Sequence, residues 1–176
     1  MTVTSFALET ERLILTRPER CDFDDFAAMR AEPEVIRYIT GIPSTPRESW
    51  ERLIRYRGFW DILGYGFWVV RSRETGRFVG TVGFGENRRG LHEAFEGFPE
   101  AGWLLASWCH GQGFGSEAVS AACAWLDSAT RHKRSVCMID KHNAASLRLA
   151  QRNGYAFFTD ASYMDTPVVL MARQKP

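Results

Sequence analysis

Trp108-Cys109-His110-Gly111-Gln112-Gly113-Phe114-Gly115-Ser116-Glu117-Ala118 is the stretch on which the reading of this chain turns. Glycines at 111, 113 and 115 follow a strand-like run, Gly102-Trp103-Leu104-Leu105, and precede a long stretch with helical apolar spacing. A strand, a glycine-rich turn and a helix start together make an anion site. Glycine adopts backbone angles that a side chain forbids and lets a ligand come close to the amides. The first N–H groups of a helix lack internal partners, and the helix dipole adds about half a positive charge there. A phosphate or pyrophosphate fits such a turn without a lysine. The same glycines also suit a tight turn that binds nothing.

Spacing separates the phosphate loops. A P-loop carries Lys-Ser or Lys-Thr after its last glycine, whereas Ser116-Glu117 follow Gly115 here. A dinucleotide fingerprint starting at Gly111 needs glycine at the place of Ser116, and it usually sits in the first strand–turn–helix unit of its domain. What remains is the pattern Q/R-x-x-G-x-G/A opening a helix. His110-Gly111-Gln112-Gly113-Phe114-Gly115 fits it with histidine in the Gln/Arg place.

That pattern resembles the acetyl-CoA site of the GNAT N-acetyltransferase superfamily. Gly113-Phe114-Gly115-Ser116-Glu117-Ala118 is similar to the G-Y-A-T-E-A run of its ribosomal-protein N-acetyltransferase (RimJ/RimL-like) branch. Leu8-Glu9-Thr10-Glu11-Arg12-Leu13-Ile14-Leu15 resembles the opening T-x-R-L-x-L strand of that branch, and Glu100-Ala101-Gly102-Trp103 its E-I-G-Y strand. Asn143, Ser146 and Gly154-Tyr155 resemble its N-x-x-S…G-F segment. The matches run over nearly the whole chain.

Composition agrees with one domain over 1–176. At this length a chain buries roughly 70% of its unfolded surface, enough for a core without disulfides or metals. The contents of 45% hydrophobic and 24% charged residues are ordinary for a globular protein. A net charge of +1 gives no reason to expect nucleic acid as a partner. Met1 to Leu8 lacks a basic segment followed by an apolar one, and no apolar run spans a membrane, so a cytoplasmic protein is expected. Cys21, Cys109, Cys123 and Cys137 show no C-x-x-C spacing, and the histidines at 92, 110, 132 and 142 show no metal-ligand spacing. No metal is expected, and a homodimer is left open.

Periodicity places a strand over Arg12–Arg17 and a short helix over Asp22–Arg30, with another short helix over Pro33–Ile39. Thr45-Pro46-Arg47-Glu48 is a capping box opening a helix that carries Trp50, Leu53, Ile54 and Trp60 and stops at Gly64. Phe67–Arg71 and Phe78–Phe84 read as a hairpin, Asn87–Pro99 as a loop and Glu100–Ala106 as the strand entering the glycine turn. Ser116–Thr130 is a helix with Ala118, Ala122, Trp125, Leu126 and Ala129 on one stripe. Arg134–Asp140 is a strand, Asn143–Asn153 a helix capped by Gly154, and two strands follow around Phe157 and Val168–Met171. The order is α/β or α+β. The resemblance implies the GNAT fold, a central mixed, mostly antiparallel twisted sheet with helices on both faces. It also implies that the strands of Trp103–Leu105 and Val136–Ile139 splay apart, and that the early helices shape the acceptor side.

The chemistry implied is transfer of acetyl from acetyl-CoA directly to a primary amine of a protein N-terminus or small molecule. His110, Gly111, Gln112, Gly113, Phe114, Gly115 and Ser116 would cradle the pyrophosphate, although a lone histidine at a turn, as His110 is, usually has a local structural role. Main-chain groups of Leu104 and Leu105 would polarise the thioester carbonyl, and Asn143 would contact the CoA arm or cap a helix. Alkylammonium groups have pKa values of about 10, so a base is needed. Glu100 is the leading candidate, with a solvated surface charge as its alternative; for Glu93 and Glu96 the solvated reading is preferred. Arg88 and Arg89 read as an exposed loop tip. Aligned on Gly154-Tyr155, Ala150 stands where the family places a thiolate-protonating tyrosine, so Ser146, one turn earlier, is the candidate proton donor. That gap motivates the competing reading, an acyl-CoA-binding sensor without catalysis. An acyl-cysteine route through Cys109 and His110 ranks below direct transfer, because neighbouring residues on a strand point to opposite faces.

Overall fold

The computed structural model describes residues 7–176, so the reading of Met1–Leu8 falls largely outside it. Eight strands form one sheet: β1 (Ala7–Glu9), β2 (Leu13–Thr16), β3 (Phe67–Ser72), β4 (Phe78–Gly85), β5 (Glu100–Leu105), β6 (Arg134–Asp140), β7 (Ala156–Tyr163) and β8 (Thr166–Gln174). Their order is β1-β2-β3-β4-β5-β6-β8-β7. Every neighbouring pair is antiparallel except β5 and β6. The helices are α1 (Phe23–Ala31), α2 (Pro33–Ile36), α3 (Pro46–Leu63), α4 (Phe114–Ala129) and α5 (Ala144–Arg152).

Successive residues of a strand face opposite ways, and β3 shows what each face carries. Phe67 and Val69 pack with Phe26 and Met29 of α1 and Leu53 and Tyr56 of α3. Trp68 and Val70 pack with Ala118, Ala122 and Leu126 of α4 and Ala150 of α5. β4 is buried along its whole length, as a strand covered on both faces must be. Its Gly80 lies so close to β5 that a Cβ would run into the Leu104 carbonyl.

The capping box of α3 forms as expected: Glu48 N–H donates to Thr45 Oγ1 at 3.3 Å, and Thr45 N–H to the Glu48 carboxylate at 2.7 Å. Gly64 ends the helix at φ 76°, a left-handed conformation suited to glycine. The buried stripe of α3 runs through Ser49, Leu53, Tyr56 and Trp60. Trp50 and Ile54 lie one position further round, and they are 38% and 52% exposed. On α4, Ala129 likewise falls outside the buried stripe.

The sheet is not continuous in the middle. β5 and β6 are paired only at Glu100↔Val136, beside a bond from Val136 N–H to the Pro99 carbonyl at 3.0 Å. Beyond that point the two strands part, and the gap between them opens toward the C-terminal end of β5, where the glycine turn begins.

Candidate active site

The turn is built by two left-handed glycines, Gly111 at φ 74° and Gly113 at φ 82°. Gly113 is the N-cap of α4, with no side-chain cap. The first helical bond runs from Glu117 N–H to the Gly113 carbonyl at 3.1 Å. The N–H groups of Phe114, Gly115 and Ser116 therefore precede the hydrogen-bond ladder. Space around Gly111 is open, with nothing within 4 Å of where a Cβ would stand. An uncapped helix start behind an open glycine turn fits a phosphate diester or pyrophosphate.

Two residues far away in sequence, Thr10 and Arg12, hold this turn, largely through Glu117. The Glu117 carboxylate accepts from Thr10 Oγ1 at 2.6 Å, from Arg12 N–H at 2.8 Å and from Arg12 Nε at 2.7 Å. Arg12 also donates to the Gln112 carbonyl at 2.9 Å, and its guanidinium lies 4.6 Å from the centre of the Phe114 ring. Gln112 Nε2 donates to the Trp108 carbonyl at 2.7 Å. His110 is taken up locally: its N–H donates to the Ser107 carbonyl at 3.1 Å and its Nε2 meets the Leu105 carbonyl at 2.9 Å. Its other ring nitrogen, Nδ1, lies 3.8 Å from the Glu34 carboxylate, so the histidine has the local role that a lone histidine at a turn usually has.

At the end of β5, Ala106 N–H bonds the Val79 carbonyl at 2.9 Å, toward β4. Main-chain groups alternate sides along a strand, so those of Leu105 and Trp103 face the gap. The Leu105 carbonyl is covered by His110, and the Leu105 N–H is presented at the open edge. Leu104 instead turns its main chain toward β4 and contributes to the gap as a wall.

A cavity of about 290 Å³ fills the gap. Its walls include Glu100, Trp103 and Leu104 of β5, Met138 of β6, and Asn143 and Ser146 of α5. Asn143 Oδ1 accepts from Ser146 N–H at 3.1 Å, so it is the helix N-cap and lines the cavity as well. Trp103 Nε1 donates to Ser146 Oγ at 3.2 Å. Glu100 is not a solvated charge. It is 8% exposed and receives Arg89 Nε at 3.0 and 3.1 Å and Arg89 Nη2 at 2.9 Å. Arg89 therefore turns inward, away from the loop tip where it was expected, while Arg88 stays exposed beside Glu86. Glu93 is exposed, and Glu96 accepts from Gly90 N–H at 2.7 Å. A larger hollow of about 430 Å³ beside Trp50 and Arg57 contains no residue of the turn or the gap.

The buried cysteines offer no nucleophile. Burial pushes the Cys109 thiol up to about 11, and its Sγ donates to the Ala106 carbonyl at 3.1 Å. Tyr155 is in the core, bonded to Ser135 Oγ at 2.8 Å.

Residues 12–156 match the family model of the acetyltransferase (GNAT) domain. The chain belongs to the GNAT acetyltransferase family. It is similar to a solved structure from Bordetella pertussis described as a GnaT-family acetyltransferase, 32% identical with a TM-score of 0.86, covering 96% of this chain and 99% of that one. RimL, a ribosomal L7/L12 alpha-N-protein acetyltransferase solved with coenzyme A, shares the fold at 15% identity and a TM-score of 0.79, with 96% and 98% covered. The uncharacterized protein YkkB of Bacillus subtilis is 23% identical over 154 residues, covering 85% of this chain and 84% of its own. Among the described residues of this GNAT acetyltransferase, no helix is long and apolar enough to cross a membrane. Among the same described residues, no group of three His, Cys, Asp or Glu is placed to hold a metal.

The structure also brings in residues that the sequence did not single out. Arg30 of α1, Arg52 and Arg55 of α3 and Arg89 of the loop all line the same cavity, and Arg55 feels the charges of Arg89 and Glu100. Trp103 was visible only as a strand residue. No local motif marks these positions, because they come from four separate elements.

Proposed function

We propose that this chain transfers the acetyl group of acetyl-CoA directly to a primary amine, of a protein N-terminus or a small molecule. The observation that carries the proposal is the glycine turn at the mouth of the one place where the sheet opens. The diphosphate of acetyl-CoA would rest on the N–H groups of Phe114, Gly115 and Ser116, with Arg12 and Glu117 bracing the turn from behind. The pantetheine arm would follow the wall of Leu104, Leu105 and Asn143 into the gap. Acetyl-CoA supplies the activated carbonyl carbon.

The amine nitrogen attacks that carbon, the C–S bond breaks, and the electron pair leaves on the thiolate. Leu105 N–H is the donor at the open edge for the developing oxyanion, a fixed dipole in a partly dehydrated site. Glu100 takes the amine proton, through a water or directly; its four lone-pair positions exceed the three bonds from Arg89. Ser146 Oγ accepts from Trp103, which leaves its own proton free to donate toward the thiolate. A thiol of pKa about 8.5 is a tolerable leaving group even when the donor is weak. The free cysteines accord with a reducing cytoplasm.

Acetyl-CoA-dependent thiol release with a panel of primary amines tests this function. Release that depends on both acetyl-CoA and amine is expected. Stable acetyl-CoA binding with no release across the panel would favour the sensor reading.

A further inference from the structure

The acceptor end of the cavity is lined by more positive charge than the protein neutralises. Arg30, Arg52, Arg55 and Arg89 all face it, and only Arg89 is paired there, with Glu100. Among the described residues, Arg30, Arg52 and Arg55 have no carboxylate within 4.0 Å. Their hydrogen-bond partners are neutral: Arg30 Nη2 donates to Ser44 Oγ at 2.9 Å, and Arg55 Nη2 to Asn87 Oδ1 at 2.7 Å. Arg30 is 5% exposed, and its buried Nε has no partner at all.

A buried cation without a counter-ion is expensive, and a buried donor without an acceptor adds to that cost. Burial lowers the pKa of both Arg30 and Arg55, and the neighbouring arginines act the same way, while Tyr56 and Glu48 act against it at Arg30 and Tyr56 and Glu100 at Arg55. Arginine forks suit planar or tetrahedral oxyanions, to which each can give two parallel bonds. Arg30, Arg52 and Arg55 thus bring guanidinium groups to the cavity wall with no carboxylate paired to them.

We infer that the amine acceptor carries its own anionic group, a carboxylate or a phosphate, which docks among Arg30, Arg52 and Arg55 while its amine points to the thioester beside Glu100. The inference rests on the N-acetyltransferase reading above for the amine, and on the arginine cluster for the anion. Acceptors with a second positive charge are disfavoured by the same cluster. A diphosphate of CoA is not needed to explain the cluster, because the glycine turn that suits it lies at the far end of the gap.

Matched acceptors and a binding arm decide it. Thiol release is compared for n-butylamine and 4-aminobutyrate, for ethylamine and phosphoethanolamine, and for spermidine. The acid-bearing member of at least one pair is expected to have the higher kcat/KM by about ten- to a hundredfold, the worth of one or two charge-assisted bonds, and to separate carboxylate from phosphate as the preferred anion. The double variant Arg52→Ala/Arg55→Ala is expected to erase that preference while keeping the thermal stabilisation by acetyl-CoA. In the binding arm, butyrate and inorganic phosphate are added to the CoA-loaded protein. At least one should raise the melting temperature of the wild type and neither that of the double variant. Equal or better turnover of the neutral amines or spermidine would overturn the inference, as would loss of acetyl-CoA stabilisation in the double variant. Absence of thiol release from every amine would remove the enzymatic reading alone, and the binding arm would still decide the anion site.

Discussion

Trp103 on β5 and Ser146 on α5 meet across the opening of the sheet, the indole Nε1 donating to the serine Oγ at 3.2 Å. The bond ties the β5 side of the cleft to the first turn of α5. The indole nitrogen can only donate, so the serine oxygen accepts and its own proton remains available for another partner.

Replacing Ser146 by alanine is expected to slow turnover about ten- to a hundredfold, the low end of general-acid effects. Trp103→Phe keeps the hydroxyl but frees it to rotate, and a smaller loss is expected. Thermal stabilisation by acetyl-CoA should persist in both variants. Steady-state kinetics with a verified acceptor check this, and unchanged turnover in Ser146→Ala would remove the serine from the chemistry.

Glu100→Gln is expected to lower turnover more at pH 7 than at pH 9, because solution deprotonates more of the amine at the higher pH. The same change leaves Arg89 largely buried without its counter-charge. Removing one partner of such a pair costs about 3 kcal/mol. Kinetics at the two pH values and denaturant unfolding separate the effects: a stability loss with equal rate losses at both pH values would make Glu100 purely structural.

Gly113→Val is expected to abolish stabilisation by acetyl-CoA. Gly113 sits at φ 82°, where a β-branched residue is strained, and even a Cβ would stand 3.3 Å from Arg12 Nη2. For the wild type, ligand at a hundredfold above its Kd adds about 2.7 kcal/mol. Thermal melts with acetyl-CoA, ATP and NAD measure this; only acetyl-CoA should shift the wild type.

The Glu117 anchor gives the turn a pH dependence. Burial works to raise the Glu117 pKa, but hydrogen bonds from Thr10 and Arg12 outweigh it and hold the carboxyl below its usual value. A carboxylate depressed in the folded state adds stability above its unfolded pKa of about 4.3, and that contribution fades as pH falls through the folded value. Glu117→Gln should therefore be less stable than the wild type at pH 7, with the gap closing below about pH 4. Denaturant midpoints across that range check the sign.

The strand–turn–helix unit was legible because its signal is local: adjacent glycines, then apolar spacing. The α3 cap was legible for the same reason, as Thr45 and Glu48 are three positions apart. The Thr10–Arg12–Glu117 brace was not, although each piece lies in a run that stands out in the sequence, because its partners are 105 to 107 positions apart. Arg89 misled for a related reason. A charged residue in a glycine-punctuated loop looks solvated until β5 places Glu100 beneath it. The local role of His110 was open to a reading of the turn, but its partner, the carbonyl of Leu105 at the end of β5, was not. The arginine cluster needed α1, α3 and the loop after β4 to converge, which no window of sequence contains.

The central claim is direct transfer to an amine, and the fate of a labelled acetyl group tests it most directly. A single turnover with acetyl-labelled CoA and an accepted amine is followed by mass spectrometry of both the amine and the intact protein. The account predicts label on the amine nitrogen in step with thiol release, and none on the protein at any time. Label on the protein before the amine, or release of free acetate with the amine unchanged, would contradict it.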